Sequence, residues 1–312
     1  MTEAQATKHG GGVRPGAVAI WVQAIRAPSL SASAIPVLLG GAVAARAGYF
    51  SFPRLVIALV GAIAIQAGTN LINDYYDYRS GADSSESLGP SMVIQRGLLR
   101  AGQVWWGGVV AFAIGSALGL VLVYMCGWPI LALGLLSVAA GYFYTASPVA
   151  LAYIALGELT VFIFMGPVIV VGTYYAIALG FSRTALWASM PIGFLVAGIL
   201  HANNIRDIES DRTHRKRTLA TMLGRRGANL ELLALDAAAY ASMIFAVATA
   251  ALPWIALATL ATIPRAIDQI RIVMRESEPR KLNLALLRSV QLHMEFGLLM
   301  FIAFVVAALA GW

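Results

Sequence analysis

Two stretches of this sequence gather oxygen-bearing side chains at a repeated spacing. The first is Asn73-Asp74-Tyr75-Tyr76-Asp77-Tyr78-Arg79-Ser80-Gly81-Ala82-Asp83, and the second is Asn203-Asn204-Ile205-Arg206-Asp207-Ile208-Glu209-Ser210-Asp211. Asn73 and Asp77 are four residues apart, and Asn203, Asp207 and Asp211 repeat that step in series. Residues i and i+4 lie one turn apart on the same face of a helix, so each stretch presents a stripe of oxygen ligands at a helix end. Seven of the 15 acidic residues fall in or beside these stretches (Asp74, Asp77, Asp83, Glu86, Asp207, Glu209 and Asp211). A solvated helix cap would explain one such segment. Two with the same step are a concentration of charge that needs a partner.

Carboxylates held close together repel unless a cation lies between them. Oxygen-only ligands, with no His or Cys among them, select a hard ion, and Mg2+ in particular keeps few protein ligands and bridges to substrate phosphates. Two facing stripes would therefore clamp a diphosphate through one or two metal ions and neutralise it as a leaving group. Cations follow each segment: Arg96 after the first, Lys216 and Arg217 after the second. They would bind diphosphate oxygens directly. The Asn-x-x-x-Asp step of Asn73 and Asp77 recurs 130 residues later at Asn203 and Asp207, which is consistent with an old internal duplication.

The rest of the chain shows what must position these residues. Of 312 residues, 59% are hydrophobic and 12% are charged, against about 25% charged in a soluble domain. The mean hydropathy is +0.76. Apolar runs long enough to cross about 30 Å of hydrocarbon fall at 22–45, 52–76, 103–126, 128–146, 151–179, 185–206, 231–250, 252–270 and 290–311. The expectation is an all-α integral membrane protein of about nine transmembrane helices, with residues 1–15 as a flexible cytoplasmic tail and 16–312 as a single membrane domain. The first apolar run is read as a lasting anchor, not a cleaved signal. The formal charge of +7 does not point to nucleic acid, because the cations sit between long apolar runs. The single cysteine, Cys126, lies inside such a run and offers no internal disulfide or zinc site.

Orientation follows from the cations. With the N-terminus inside, the outer loops hold Arg46, Arg54 and Arg183, and the other 19 of the 22 Lys and Arg residues lie on the inner side. The positive-inside rule then places the N-terminus and both acidic segments in the cytoplasm.

These motifs resemble the UbiA superfamily of intramembrane aromatic prenyltransferases, over most of the chain. Within it the likeness is to the branch whose acceptor is 1,4-dihydroxy-2-naphthoate. It is carried by Asn73 through Asp83, by Leu88-Gly89-Pro90-Ser91 with Gln95-Arg96-Gly97-Leu98-Leu99, and by Asn203 through Asp207 with Lys216-Arg217-Thr218-Leu219. The superfamily pattern puts a third acid eight residues after the Asn. That position here is Gly81, and the acid falls at Asp83, as in the naphthoate branch.

The resemblance implies a UbiA-type bundle in the inner membrane and Mg2+ held by ligands drawn from Asn73, Asp74, Asp77, Asp83, Asn203, Asp207 and Asp211. It implies a polyprenyl diphosphate donor that ionises to an allylic cation, and attack on that cation by an aromatic ring that loses its carboxyl group as CO2. Asp77, Asp207, Asp211 and Tyr144 would carry the chemistry. Arg79, Arg96, Lys216 and Asn204 are further candidates for contact with substrate.

Three other sites stay open between two readings. Tyr142 and Tyr144, closing the fourth span, could present π faces to the cation or form part of an interfacial aromatic belt. Glu158, an ionisable residue at membrane depth, could face the acceptor or serve as a buried structural carboxyl. His201 could meet substrate or be a satisfied helix residue. Other acceptors, such as 4-hydroxybenzoate and homogentisate, fit the same motifs. From another class, a transporter fits intramembrane acids, but would carry polar residues deep in several helices. A phosphatidyl-group transferase would show an Asp-Gly-x-x-Ala-Arg pattern, which this chain lacks.

Overall fold

Proline and glycine set many of the helix limits. The computed structural model describes residues 15–81, 91–214 and 216–311, so the tail expected at 1–15, apart from Pro15, and the expected ligand Asp83 lie outside the described residues. Short helix α1 (Ala17–Ala24) and a 3-10 turn (Ala27–Leu30) lead into α2 (Ser31–Arg46). Helix α3 (Phe52–Ser80) has Pro53 in its first turn, where a missing N–H costs nothing, and stops at Gly81, whose φ of +76° suits glycine. Helix α4 (Ala101–Cys126) ends at Gly127, and α5 (Trp128–Phe143) begins with Pro129. Helices α6 (Gly157–Ile163) and α7 (Ile169–Ala178) form one rod joined by a π-helical stretch, Phe164–Val168, that contains Pro167. Helix α8 (Arg183–Arg206) is capped by the Ser182 side chain, which accepts from the Ala185 N–H. After α9 (Ile208–Thr213), helix α10 (Leu219–Ala248) is capped by Thr218 and kinked at Gly224. A 3-10 stretch (Trp254–Thr262), α11 (Ile263–Arg275) and α12 (Pro279–Ala310) complete the chain.

Among the described residues, seven helical segments are long and apolar enough to cross a membrane: Ala27–Arg46, Phe52–Ser80, Ala101–Cys126, Gly157–Ala178, Arg183–Arg206, Leu219–Ala248 and Pro279–Ala310. The shorter apolar helix Trp128–Phe143 lies between the third and fourth of these. The eighth expected span, 252–270, is a 3-10 stretch running into α11 rather than one long helix. Helices α10 and α12 begin 11–12 residues before their apolar runs at 231 and 290. Arg225, Arg226, Arg280, Lys281 and Arg288 lower the hydropathy of those turns without interrupting the helical ladder.

Helix α8 is the hub. It packs against α10, α12, α6 and α2, and its apolar window is the most buried of the seven, whereas that of α4 is the least. Close approach of α3 to α4 depends on small residues: a Cβ on Gly68 would lie 3.2 Å from the Gly108 carbonyl oxygen, and one on Gly115 would lie 3.1 Å from that of Gly61. The C-terminal ends of α3 and α8 lie at the same end of the bundle, close enough for the charges of Asp77 and Asp211 to interact.

Candidate active site

The last turns of α3 carry their polar groups on two faces. On one face Asn73 is buried and its Oδ1 accepts from Thr145 Oγ1 at 2.7 Å, while Asp77 Oδ1 accepts from the Tyr153 hydroxyl at 2.7 Å. On the other face Asp74 is held by Arg26, which donates to Oδ1, and by Ser91, which donates to Oδ2. Asn70 extends that clamp, donating to the Ile25 carbonyl at 2.9 Å. So Asp74 already has a cation and a hydroxyl, and Asp77 looks toward the other acidic segment.

The second segment is arranged differently. Asp207 caps α8, and the buried Arg206 grips it with Nε at 2.7 Å from Oδ1 and Nη2 at 2.6 Å from Oδ2. The same guanidinium reaches Asn203 Oδ1 and Asn283 Oδ1, both at 2.9 Å. Asp211 lies one turn beyond Asp207, and its N–H donates to the Asp207 carbonyl at 2.8 Å, so the four-residue stripe survives the break between α8 and α9. Asp211 is buried. Lys216 Nζ stands 3.6 Å from its Oδ1, and its Oδ2 has no hydrogen-bond partner. Burial pushes the Asp211 carboxyl up to about 6, against the pull of Lys216, and the charges of Asp207 and Asp77 push the same way.

The segment between α5 and α6 joins the two. Lys216 Nζ lies 5.3 Å from the centre of the Tyr153 ring. The Arg217 N–H donates to the Tyr153 carbonyl at 3.2 Å, and the Ala155 N–H donates to the Arg217 carbonyl at 2.7 Å, an isolated parallel bridge in an otherwise helical molecule. Burial first, then the charge of Asp77, raise the Tyr153 hydroxyl above its usual range, so it stays a donor to Asp77. Tyr144 is fully within this region. Its hydroxyl has no partner, and burial, followed by Glu158, Asp77 and Asp211, raises it. Glu158 Oε1 accepts from Asn204 Nδ2 at 2.9 Å and pairs with His201 Nδ1 at 3.0 Å; His201 Nε2 lies 2.9 Å from the Ala228 carbonyl. Glu158, His201 and Asn204 thus form one buried knot behind Tyr144.

The remaining candidates lie outward. The Tyr142 hydroxyl pairs with that of Tyr76 at 3.2 Å. Arg79 is exposed and lies over the Tyr75 ring, and Arg96 is exposed on the 91–100 segment. Four non-glycine residues with left-handed backbone, Arg26, Met92, Ala150 and Ala155, border the acidic segments. Such strain gathers where a surrounding structure must hold a particular geometry.

Among the described residues no three His, Cys, Asp or Glu side chains form a ready-made metal cage. The donors fit a hard cation that arrives with its own phosphate ligands: all are oxygens, and a buried carboxylate oxygen of Asp211 is unpartnered. Sequence reasoning missed Arg26, Thr145 and Tyr153, and named Ser91 only within a stretch that carries the resemblance, with no role in the site. Each is a single ordinary residue without periodicity, and Tyr153 lay inside a run read as a membrane span.

The profile of the UbiA prenyltransferase family matches residues 33–305. The chain belongs to the UbiA prenyltransferase family. It is similar to the 1,4-dihydroxy-2-naphthoate octaprenyltransferase of Bacillus subtilis (strain 168), 32% identical and covering 92% of both chains. It is also similar to the protein of the same name from Escherichia coli (strain K12), at 29% identity over 87% of this chain and 90% of that one. In shape it is similar to the apo structure of a UbiA homologue from Aeropyrum pernix K1, with a TM-score of 0.67, 21% identity, and coverage of 87% of this chain and 97% of that one. A UbiA homologue from Archaeoglobus fulgidus bound to DMAPP and Mg2+ matches with a TM-score of 0.61 and 18% identity, over 93% of this chain and 98% of that one. The all-helical membrane fold expected from the apolar runs and the prenyltransferase class implied by the resemblance therefore stand, and this UbiA-family chain is a multi-pass membrane protein.

Proposed function

We propose that this protein transfers a polyprenyl group from a polyprenyl diphosphate to 1,4-dihydroxy-2-naphthoate with loss of CO2, giving demethylmenaquinol, and that it depends on Mg2+. The observation that carries the reading is the unpartnered buried oxygen of Asp211 within electrostatic reach of Asp77. The names of the similar bacterial proteins support the acceptor.

Asp77 and Asp211 would hold the metal, with Asp207, Asn73 and Asn203 beside them. Bound there with the donor, Mg2+ supplies charge neutralisation for the departing diphosphate. Lys216 and Arg96 offer cations to the diphosphate oxygens. The donor's C1–O bond breaks, its electron pair leaves with diphosphate, and the ring carbon that bears the carboxyl group attacks the allylic cation. That C–C bond forms as the ring–carboxyl bond breaks, and CO2 leaves. Tyr144 keeps its hydroxyl buried beside this region, so the ring excludes water and lends a π face to positive charge.

An apolar chamber of about 330 Å³ lies between α2, α3, α4, α5 and α7, bordered by Ile65, Gly119, Leu131, Gly134 and Val168. Ile65 is 12 residues before Asp77 on α3, about 18 Å along the axis at 1.5 Å per residue. The chamber suits the far end of a long prenyl tail. The distribution of Lys and Arg supports placing the acidic end on the cytoplasmic side of the cell (inner) membrane, with the N-terminus inside.

The test is prenyl transfer by purified protein in detergent, with Mg2+, a polyprenyl diphosphate and a panel of aromatic acids. Prenylated naphthoquinol with CO2 release, lost in Asp77→Ala and Asp211→Ala, is the expected result. Transfer to 4-hydroxybenzoate or homogentisate alone would replace the acceptor, and no transfer from folded protein would overturn the reading.

A further inference from the structure

Tyr153 touches both acidic segments. Its hydroxyl donates to Asp77 at the end of α3 and sits 3.2 Å from Ser80, one turn on. Its ring lies beneath Lys216, which pairs with Asp211 beyond α8. Its carbonyl accepts from Arg217, so backbone and side chain make the same link. The loop that presents it is itself pinned: the Ala152 N–H donates to the Tyr144 carbonyl at 2.8 Å, and the left-handed residues Ala150 (φ 44°) and Ala155 (φ 60°) bracket it. A backbone held in that region against its steric preference signals a position that the surroundings fix.

We propose that Tyr153 is a positioning residue, a cross-brace that sets the separation of Asp77 and Asp211 for the metal-bound diphosphate of the donor; this rests on the function proposed above. The hydroxyl fixes one Asp77 oxygen and turns the carboxylate toward Asp211. The ring face fixes Lys216, and through it Asp211. Without the brace both carboxylates remain, but each metal-binding event has to order them first, a cost that appears in affinity rather than in the rate of the bound complex.

The experiment uses the full chain in detergent and the variant Tyr153→Phe, which keeps the ring and removes the donor. Mn2+ binding is followed by electron paramagnetic resonance in the presence of geranyl S-thiolodiphosphate, an unreactive donor analogue. Turnover is measured against Mg2+ concentration, and the melting temperature is taken without metal. The expected result is half-saturation by Mn2+ and by Mg2+ raised about tenfold, the size of one hydrogen bond to a charged group. The rate at saturating Mg2+ and the metal-free melting temperature stay close to those of the unaltered protein. Tyr153→Leu, which also removes the seat of Lys216, raises half-saturation further. If Tyr153→Phe fails to fold, Tyr153→Trp gives the same test, since it keeps an aromatic face and moves the donor away from Asp77. Unchanged half-saturation in a folded variant overturns the brace and leaves the prenyltransferase reading intact. A lower rate and melting temperature with unchanged half-saturation also overturns it, by showing a structural role only. No metal-dependent binding of the analogue by the unaltered protein overturns both.

Discussion

The C-terminal ends of α3 and α8 carry nearly the same motif and are built on opposite plans. At α8 the clamp is local: Arg206 grips Asp207, its immediate neighbour, and Asn203, one turn back. At α3 the clamp is distant: Asp74 is held by Arg26, 48 residues earlier, and Ser91, 17 residues later. The likeness in spacing therefore hides a difference in dependence. The Asp207 clamp comes from its own helix, with Asn283 of α12 as a further partner of Arg206, whereas the Asp74 clamp forms only when the N-terminal segment and the 91–100 segment have docked on α3. What the two share is one acid each, Asp77 and Asp211, left facing the common space.

That shared pair gives the largest expected effect. Asp77→Ala and Asp211→Ala should each lower turnover by about a hundredfold or more, measured at saturating Mg2+ and donor; a loss at only one would break the symmetry between the segments. Next is Arg206→Ala, which leaves the half-buried Asp207 without its cation. It should cost about 3 kcal/mol in denaturant titrations. Arg26→Ala should cost less, about 2 kcal/mol, because this pair is more exposed on its cationic side. Adding Asp74→Asn should recover part of that loss, since the stranded charge is then gone, whereas no distant partner substitution should rescue Arg206→Ala. Ser91→Ala should cost about 1 kcal/mol, the size of one hydrogen bond.

A pH scan sharpens the contrast further. The folded carboxyl of Asp211 titrates near 6, above its ordinary 3.8, so the folded state holds the extra proton between those values. Metal-free protein should accordingly lose stability as pH rises from about 4 to about 6. Asp211→Asn should flatten that slope in thermal melts, and Asp211→Asn protein should be the more stable of the two at neutral pH.

The two plans also explain what could be read from the residues alone. The i, i+4 step exposes Asn73, Asp77, Asn203, Asp207 and Asp211 because helical geometry is local. Arg26, Thr145 and Tyr153 reach Asp74, Asn73 and Asp77 across 48, 72 and 76 positions, and only the docking on α3 of the segments that follow α1 and α5 and precede α6 brings them there. Glu158 and His201 were visible as ionisable groups in apolar runs, yet their meeting depends on the contact of α6 with α8. Apolar runs located the spans well where both ends were uncharged, as in α4. They placed α10 and α12 late, because the N-terminal turns of both carry Arg, and hydropathy measures burial in lipid rather than helicity.

The docking of the N-terminal segment has a consequence for how the protein is made. Ile20 and Ala24 pack against Leu71, Val93, Ile94 and Val104, and Gln23 donates to the Ser91 carbonyl. Leu71 is made before Ser91, Val93 and Ile94, and Val104 comes last, so the full set of partners is present only once the start of α4 has been synthesised. The segment around α1 therefore gains its last partner only when the start of α4 arrives, after α2 and α3 have been made. A translational pause before residue 100 would leave a membrane-inserted but open intermediate, and that stage is where a chaperone or a quality-control protease would find this protein.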